Sequence, residues 1–285
     1  MKQKFILTVR CASAAGQVAA IALFLDKRQF YVEEISVFDS HDKSTFFVRC
    51  VFHPQGEESL PLATLRADFE EVAVRFRMDW AIHDAHERPR VMIMVSRYDH
   101  CLNDILYRWS IGELAIDITA IVSNHPDLGK LAHRHGLQFH HLPVTAETKA
   151  TQEVKLRALI DDTRSDAVVL ARYMQILSAE LCRHLQGRAI NIHHSFLPGF
   201  KGAKPYQQAY ERGVKIIGAT AHYVTTDLDE GPIIEQAVTQ VDHTADVDQL
   251  QSMGRDMECV ALSRALKLHI ERRVFIDGYK TVVLR

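Results

Sequence analysis

Asn191 and His193 stand two residues apart at the end of the apolar run Ala189-Ile190-Asn191-Ile192. Asp229 follows in the polar segment Thr225-Thr226-Asp227-Leu228-Asp229-Glu230-Gly231-Pro232. Strand side chains alternate between faces, so Asn191 and His193 point one way while Ile192 points into the core. An amide and an imidazole side by side can donate hydrogen bonds to a single carbonyl oxygen. A carboxylate near them can exchange a proton with whatever attacks or leaves the carbonyl carbon. On spacing alone the pair reads equally as a capped strand end, and a carboxylate in a turn is most often solvated or capping. What favours a cleft is the segment Ser195 to Lys204, whose proline and two glycines impose a sharp bend that leaves polar groups facing it.

The elements that must position these groups fall into two patterns. In the first, Phe5 to Val9 reads as a strand. Val18, Ile21, Ala22 and Leu25 keep helical spacing after Gly16, and strands at Phe30 to Phe38 and Thr45 to Phe52 flank a polar turn at Asp39 to Lys43. Leu62, Leu65, Phe69, Val72 and Phe76 form a second helical stripe, and Trp80 to Ile82 supplies a last strand. The order βαββαβ predicts a ferredoxin-like sheet with both helices on one face. In the second pattern, Val91 to Val95, Ala115 to Val122, Gln138 to His141, Ala167 to Leu170 and Ala189 to Ile192 are short apolar runs separated by helical stretches. That is how a Rossmann-like, mostly parallel sheet reads, with ligands at the carboxyl ends of its strands. Pro205 and Gly213 bracket a helix. Val247, Leu250, Gly254, Met257 and Ala261 mark a long one, and a hairpin turns at Asp277-Gly278. The expected division is a domain at 1–84, a polar linker at 85–90 ending at Pro89 and Arg90, and a second domain at 91–285.

Composition excludes several classes. The chain has 285 residues, 47% hydrophobic and 25% charged, with a formal net charge of −2, and no basic block points to nucleic acid. No apolar run has the length of a membrane span or a signal segment, which predicts a cytoplasmic protein with no membrane partner. Cys11, Cys50, Cys101, Cys182 and Cys259 lack any C-x-x-C pairing and read as structural thiols in a reducing compartment.

The stretch Asn191 to Gly199 with Gly218 to Glu235 resembles the active-site signature of the formyltetrahydrofolate-dependent formyltransferase fold, shared by glycinamide ribonucleotide and methionyl-tRNA formyltransferases. A longer match is to the formyltetrahydrofolate deformylase family. It takes in Val95 to Leu102, Ala171 to Leu177, Asn191 to Pro198, Gly254-Arg255-Asp256 and Lys280 to Val283, with an N-terminal unit that resembles an ACT domain. The resemblance implies an α/β protein that hydrolyses 10-formyltetrahydrofolate to formate and tetrahydrofolate, in folate one-carbon balance and formate supply for purine biosynthesis. It implies Asn191, His193 and Asp229 as the catalytic trio, His222 as support for the aspartate, and a pterin pocket at Met174, Gln175, Ile176 and Leu177. A loop at Thr225, Thr226, Asp227 and Leu228 would close over that pocket. No cofactor and no metal are implied, the folate being the substrate. Read without the resemblance, Met174, Ile176 and Leu177 are ordinary core.

Two departures matter. The transferase carries a glycine-rich first strand-to-helix turn, because backbone amides there approach a phosphate closely. Here Arg97, Tyr98, Asp99 and His100 stand in that turn, so a ribonucleotide acceptor is disfavoured and water becomes the acceptor; the alternative is transfer to an amine. In the ACT-like unit, Cys11-Ala12-Ser13-Ala14-Ala15-Gly16 replaces the family's Cys-Pro-Asp, which weakens the case for an amino-acid effector such as glycine or methionine. Association of such units implies a homo-oligomer. The rival chemistry is a metal held by His193, His194 and His222 with His140 and His141, and neighbouring strand residues such as His193 and His194 face opposite ways.

Overall fold

The computed structural model describes residues 3–40, 42–56, 60–199 and 205–285, and these divide into two compact units. The turn at Asp39 to Lys43 and the bend at Ser195 to Lys204 each run in part outside the described residues, at 41 and at 200–204.

The first unit comprises residues 1–87 with 271–275 and 282–285. Its elements run β1 (Phe5–Ala12), α1 (Gln17–Lys27), β2 (Phe30–Ser40), β3 (Thr45–Pro54), α2 (Leu62–Phe76) and β4 (Asp79–Asp84). Among the described residues they form an antiparallel sheet in the order β2-β3-β1-β4. Phe5, Leu7 and Val9 alternate onto one face of β1 and pack with Val48, Cys50 and Phe52 of β3 against Ile21, Phe24 and Leu25 of α1 and Leu65, Phe69 and Ala73 of α2. Period two in the strands and period 3.6 in the helices therefore build one core, as the ferredoxin-like reading requires. The buried face of α1 differs from the expected stripe: Val18 and Ala22 are exposed, and Gln17 and Phe24 are buried instead. Gln17 can be buried because its amide is used up, with Nε2 donating to the Ala12 carbonyl (2.7 Å) and Oε1 accepting from the Ala14 N–H (3.0 Å).

From sequence, the C-terminal hairpin, strands Val274–Asp277 and Lys280–Val283, falls wholly in the second domain. Instead residues 271–275 and 282–285 join the first unit. The other face of β3 explains this. Phe47, Arg49 and Val51 are buried there, and Phe275 covers Phe47 with ring centroids 5.5 Å apart. Arg49 donates to the Glu271 carbonyl (2.9 Å), while Arg273 grips both oxygens of Glu34 at 2.8 and 3.1 Å.

The second unit comprises residues 88–270 and 276–281. It runs β5 (Arg90–Val95), α3 (His100–Ser110), β6 (Asp117–Ser123), α4 (Gly129–Arg134), β7 (Phe139–His141), α5 (Lys149–Asp162), β8 (Ala167–Leu170) and α6 (Ala179–His184). It continues through β9 (Ala189–His193), α7 (Pro205–Glu211), β10 (Ile216–Tyr223), β11 (Ile233–Gln240) and α8 (Val247–Ile270); of the hairpin strands β12 (Val274–Asp277) and β13 (Lys280–Val283) it takes residues 276–281. The described strands form a seven-stranded sheet, β11-β10-β9-β8-β5-β6-β7. It is parallel from β9 to β7 and antiparallel at β10 and β11. Val91 to Val95 of β5 are all fully buried, the continuous apolar run of a strand covered on both faces. The chain proceeds from β5 to β6 on one side and later returns to β8 on the other, so a crevice opens at the carboxyl ends of β5 and β8.

Candidate active site

That crevice is a cavity of about 750 Å³. Asn191 and His193 end β9 on one face, and β10 lies antiparallel beside it with His222 opposite Asn191 and Thr220 opposite His193. Cross-strand partners on one face touch, and the Asn191 amide nitrogen is 3.2 Å from His222 Nε2. His222 Nδ1 lies 2.9 Å from the Tyr223 carbonyl oxygen, which can only accept, so Nδ1 carries a proton and Nε2 is turned toward Asn191. A bulge in the β10–β11 pairing between Ala221 and His222 marks the point where the strand reaches the cavity.

Asp229 reaches the pair from the turn after β10. Its backbone is left-handed, with φ 56°, a conformation that aspartate tolerates better than most residues. One carboxylate oxygen is 3.3 Å from His193 Nδ1, and the other is 3.8 Å from His222 Nε2, an ion-pair separation too long for a hydrogen bond. His193 first and His222 second hold the carboxyl well below the usual carboxylate range, against burial, which acts in the opposite direction. His193 Nε2, the ring nitrogen away from Asp229, is buried and has no hydrogen-bond partner among the described residues. Gly231 seats the turn: a Cβ there would overlap the Tyr223 carbonyl oxygen, the same atom that orients His222. Gly231→Ala is therefore expected to displace Asp229 and lower kcat/KM by about 100-fold. Steady-state kinetics checks this, alongside a circular dichroism spectrum that stays that of the parent.

The bend after His193 is stapled from β10. Thr220 Oγ1 donates to the Ser195 carbonyl (2.9 Å) and accepts from the Leu197 N–H (3.0 Å) and from Gln236 Nε2 (3.0 Å), which uses its full hydrogen-bonding capacity. Every expected pocket residue lines the cavity: Met174, Gln175, Ile176 and Leu177 from the segment after β8, and Thr225, Thr226, Asp227 and Leu228 from the turn. The core reading holds for Leu177 alone. Met174, Ile176 and Leu228 are exposed by 52%, 59% and 59% and form an apolar rim left uncovered by the described residues. Ser96, at the end of β5, fixes this segment by accepting from the Met174 N–H (2.9 Å) while donating to Asn124 (2.6 Å). A small polar residue directly after an apolar strand was the available signal for Ser96.

Arg172, Tyr206 and Glu258, to which the sequence reading assigns no role, meet His100 of the turn after β5 around a buried carboxylate. Glu258 of α8 is 1% exposed, with His100 Nε2 at 2.7 Å, Tyr206 Oη at 3.0 Å and Arg172 Nε at 3.3 Å, and all four line the cavity. Burial would raise its carboxyl, but His100 and Arg172 more than offset this and leave it below its ordinary value. His194 stacks beside His193 at 5.0 Å between ring centroids, and burial, then the charges of Arg172 and His193, lower its pKa to about 4. The unfolded chain binds that proton near 6.5, so the stabilising contribution is whole above pH 6.5 and is lost as pH falls from there to 4. Denaturant titrations of His194→Gln are expected to show a shallower acid decline than the parent, by on the order of 2 kcal/mol. His83 of the first unit has the same lowered value, chiefly through burial, and leaves part of the decline in both proteins.

The histidines weighed as metal ligands do not assemble. Among the described residues, the group of three or more donors close enough to share an ion is His100, Cys101 and Glu258, and there His100 and Glu258 already bind each other. His140 and His141 do not line the cavity.

Residues 89–266 match the family model described as Formyl transferase, and a mostly parallel sheet with an amide, two imidazoles and a carboxylate in one cavity fits that class of domain. The chain is 48% identical to a formyltetrahydrofolate deformylase of Corynebacterium sp. strain P-1, over 99% of this chain and 98% of that one. A crystal structure of formyltetrahydrofolate deformylase from Burkholderia mallei superimposes with a TM-score of 0.95 at 57% identity, covering 99% of this chain and 100% of that one. Glycinamide ribonucleotide transformylase 1 from Symbiobacterium toebii is more distant: TM-score 0.66, 29% identity, 70% of this chain and 95% of that one. The chain belongs to the formyltetrahydrofolate deformylase family.

Proposed function

We propose that this protein hydrolyses 10-formyltetrahydrofolate to formate and tetrahydrofolate, with water as the formyl acceptor. The observation that carries the reading is the 3.3 Å contact of His193 with Asp229 beside Asn191, in a cavity with an exposed apolar rim. Asn191 and, in its form protonated on both nitrogens, His193 would donate to the oxyanion that forms when water attacks the formyl carbon; His193 Nε2 is buried and has no other partner among the described residues. A carboxyl held as low as Asp229 is a weak base on its own. The proton taken from water is therefore shared by the His193–Asp229 pair, which passes one to N10 as the carbon–nitrogen bond breaks. His222 keeps the carboxylate in place. Met174, Ile176 and Leu228 would lie against the flat pterin face, with backbone groups of 174–177 reaching its edge.

The test is to incubate the purified protein with 10-formyltetrahydrofolate in amine-free buffer and follow formate and tetrahydrofolate. Equal yields of the two are expected; no release until an amine is added would make the protein a transferase. The same assay after chelation tests the metal-free route, which loses its place if activity disappears and zinc restores it.

The first unit is proposed to be ACT-like and to pair copies of the chain, a matter for sedimentation analysis. No helix among the described residues is long and apolar enough to cross a membrane, and a cytoplasmic setting belongs to the same proposal. An amino-acid effector at the Ala12 to Gly16 turn would have to displace Gln17, whose amide already occupies the Ala12 and Ala14 backbone groups. Calorimetry with glycine and with methionine is expected to show no heat of binding.

A further inference from the structure

We infer that His100, Arg172, Tyr206 and Glu258 are specificity residues that close the cavity to any formyl acceptor larger than water. This rests on the hydrolytic reading of the site and names why that reaction stops at water. Four separate elements converge on one carboxylate: His100 from α3, Arg172 from the segment after β8, Tyr206 from α7 and Glu258 from α8. Burying a carboxylate is unfavourable until its partners offset it, and apolar side chains of similar size would hold the helices at least as well. The chemistry proposed for Asn191, His193 and Asp229 uses none of the four, yet all four line the reaction cavity.

Contacts tie this cluster to the reacting groups. The His193 and His194 rings lie 5.0 Å apart, those of His194 and Tyr206 6.3 Å apart, and the Tyr206 hydroxyl ends on Glu258. Tyr206 is held flat against α8 at Gly254, where a Cβ would overlap its ring. Arg172, with φ 63° and 8% exposure, carries a charge that could draw an anionic acceptor. That charge is paired with Glu258 at 3.3 Å and lies over the face of Tyr98 at 5.0 Å, which draws it into the wall, although the buried Nε has no hydrogen-bond partner among the described residues. At the start of α3 the Asp99 side chain caps no backbone N–H and accepts from Asn103 Nδ2 (3.0 Å), but its negative charge at the helix N-terminus disfavours a phosphate there. Water passes a wall of this kind; an amine carried on a larger body does not.

Opening the wall should let an amine compete. The amine nitrogen would then form the bond to the formyl carbon that water oxygen forms in the parent, the carbon–N10 bond would break, the amine would lose one proton and N10 would gain one. Parent, Tyr206→Ala, Glu258→Ala and Tyr206→Phe are incubated with 10-formyltetrahydrofolate and glycinamide, and the ratio of N-formylglycinamide to formate is read against an enzyme-free control. The parent and Tyr206→Phe, which keeps the ring, are expected to give formate alone. Tyr206→Ala and Glu258→Ala are expected to give a ratio about tenfold or more above that of the enzyme-free control. Tyr206→Ala, at a half-buried position, carries the test if Glu258→Ala fails to fold. Formylation of glycinamide by the parent overturns the inference, as does a Tyr206→Ala enzyme that turns over and yields formate alone. A parent that releases no formate even without amine fails the hydrolytic reading itself, and that result is distinct from a changed product ratio.

Discussion

Asp229→Asn is expected to bind 10-formyltetrahydrofolate about as tightly as the parent while kcat falls by about 10³- to 10⁴-fold. The amide has nearly the shape of the carboxylate, so the turn through Gly231 and the apolar rim stay as they are and the ground-state complex is retained. What disappears is the negative charge 3.3 Å from His193 Nδ1 and 3.8 Å from His222 Nε2. Without it an imidazolium at His193 loses its counter-ion and the attacking water loses its acceptor, and both effects act on the transition state. Stability moves too. Because the folded Asp229 carboxyl lies below its unfolded value, its contribution is present above the ordinary aspartate range and is lost as pH falls through the folded value. The variant lacks that contribution at neutral pH and should tolerate less denaturant there, with the difference narrowing in strong acid. Equilibrium binding, single-turnover kinetics and denaturant titration separate the three effects. Turnover near that of the parent would remove Asp229 from the chemistry.

His193→Gln is expected to lower kcat by about 10²- to 10³-fold, the usual loss when an oxyanion donor is removed. It also strips Asp229 of its principal partner, so the carboxyl rises toward its ordinary value and the acid limb of the rate profile moves to higher pH. Two groups that work as one unit give losses that do not multiply. The doubly substituted His193→Gln, Asp229→Asn enzyme should therefore be about as slow as the slower single variant. Losses that multiply in full would mean that the two act separately, and the shared-proton mechanism would not stand.

The alternation of strand side chains is a local property of the backbone, so the common face of Asn191 and His193 was legible in the spacing, as were the βαββαβ order and the parallel run of strands. Local rules failed where a long-range partner decides burial. Val18 fits the helical stripe of α1, yet Gln17 takes the buried place because the backbone of residues 12–14 satisfies its amide. Met174 and Ile176 have core composition but stand exposed on the cavity rim, since none of the described residues of the second unit covers that edge. Glu258 lies on the apolar stripe of a long helix, and its charge gave no sign that His100, Arg172 and Tyr206 would meet it.

The sequence by itself determined which side chains could donate to an oxyanion and that they share a strand face, because a strand repeats every two residues wherever it lies. Only the tertiary structure decided that Asp229, 36 positions beyond His193 in the chain, turns back onto that pair. The reason is a close approach: the turn docks on the end of β10 where Gly231, lacking a Cβ, meets the Tyr223 carbonyl, and no periodicity in the sequence encodes that contact.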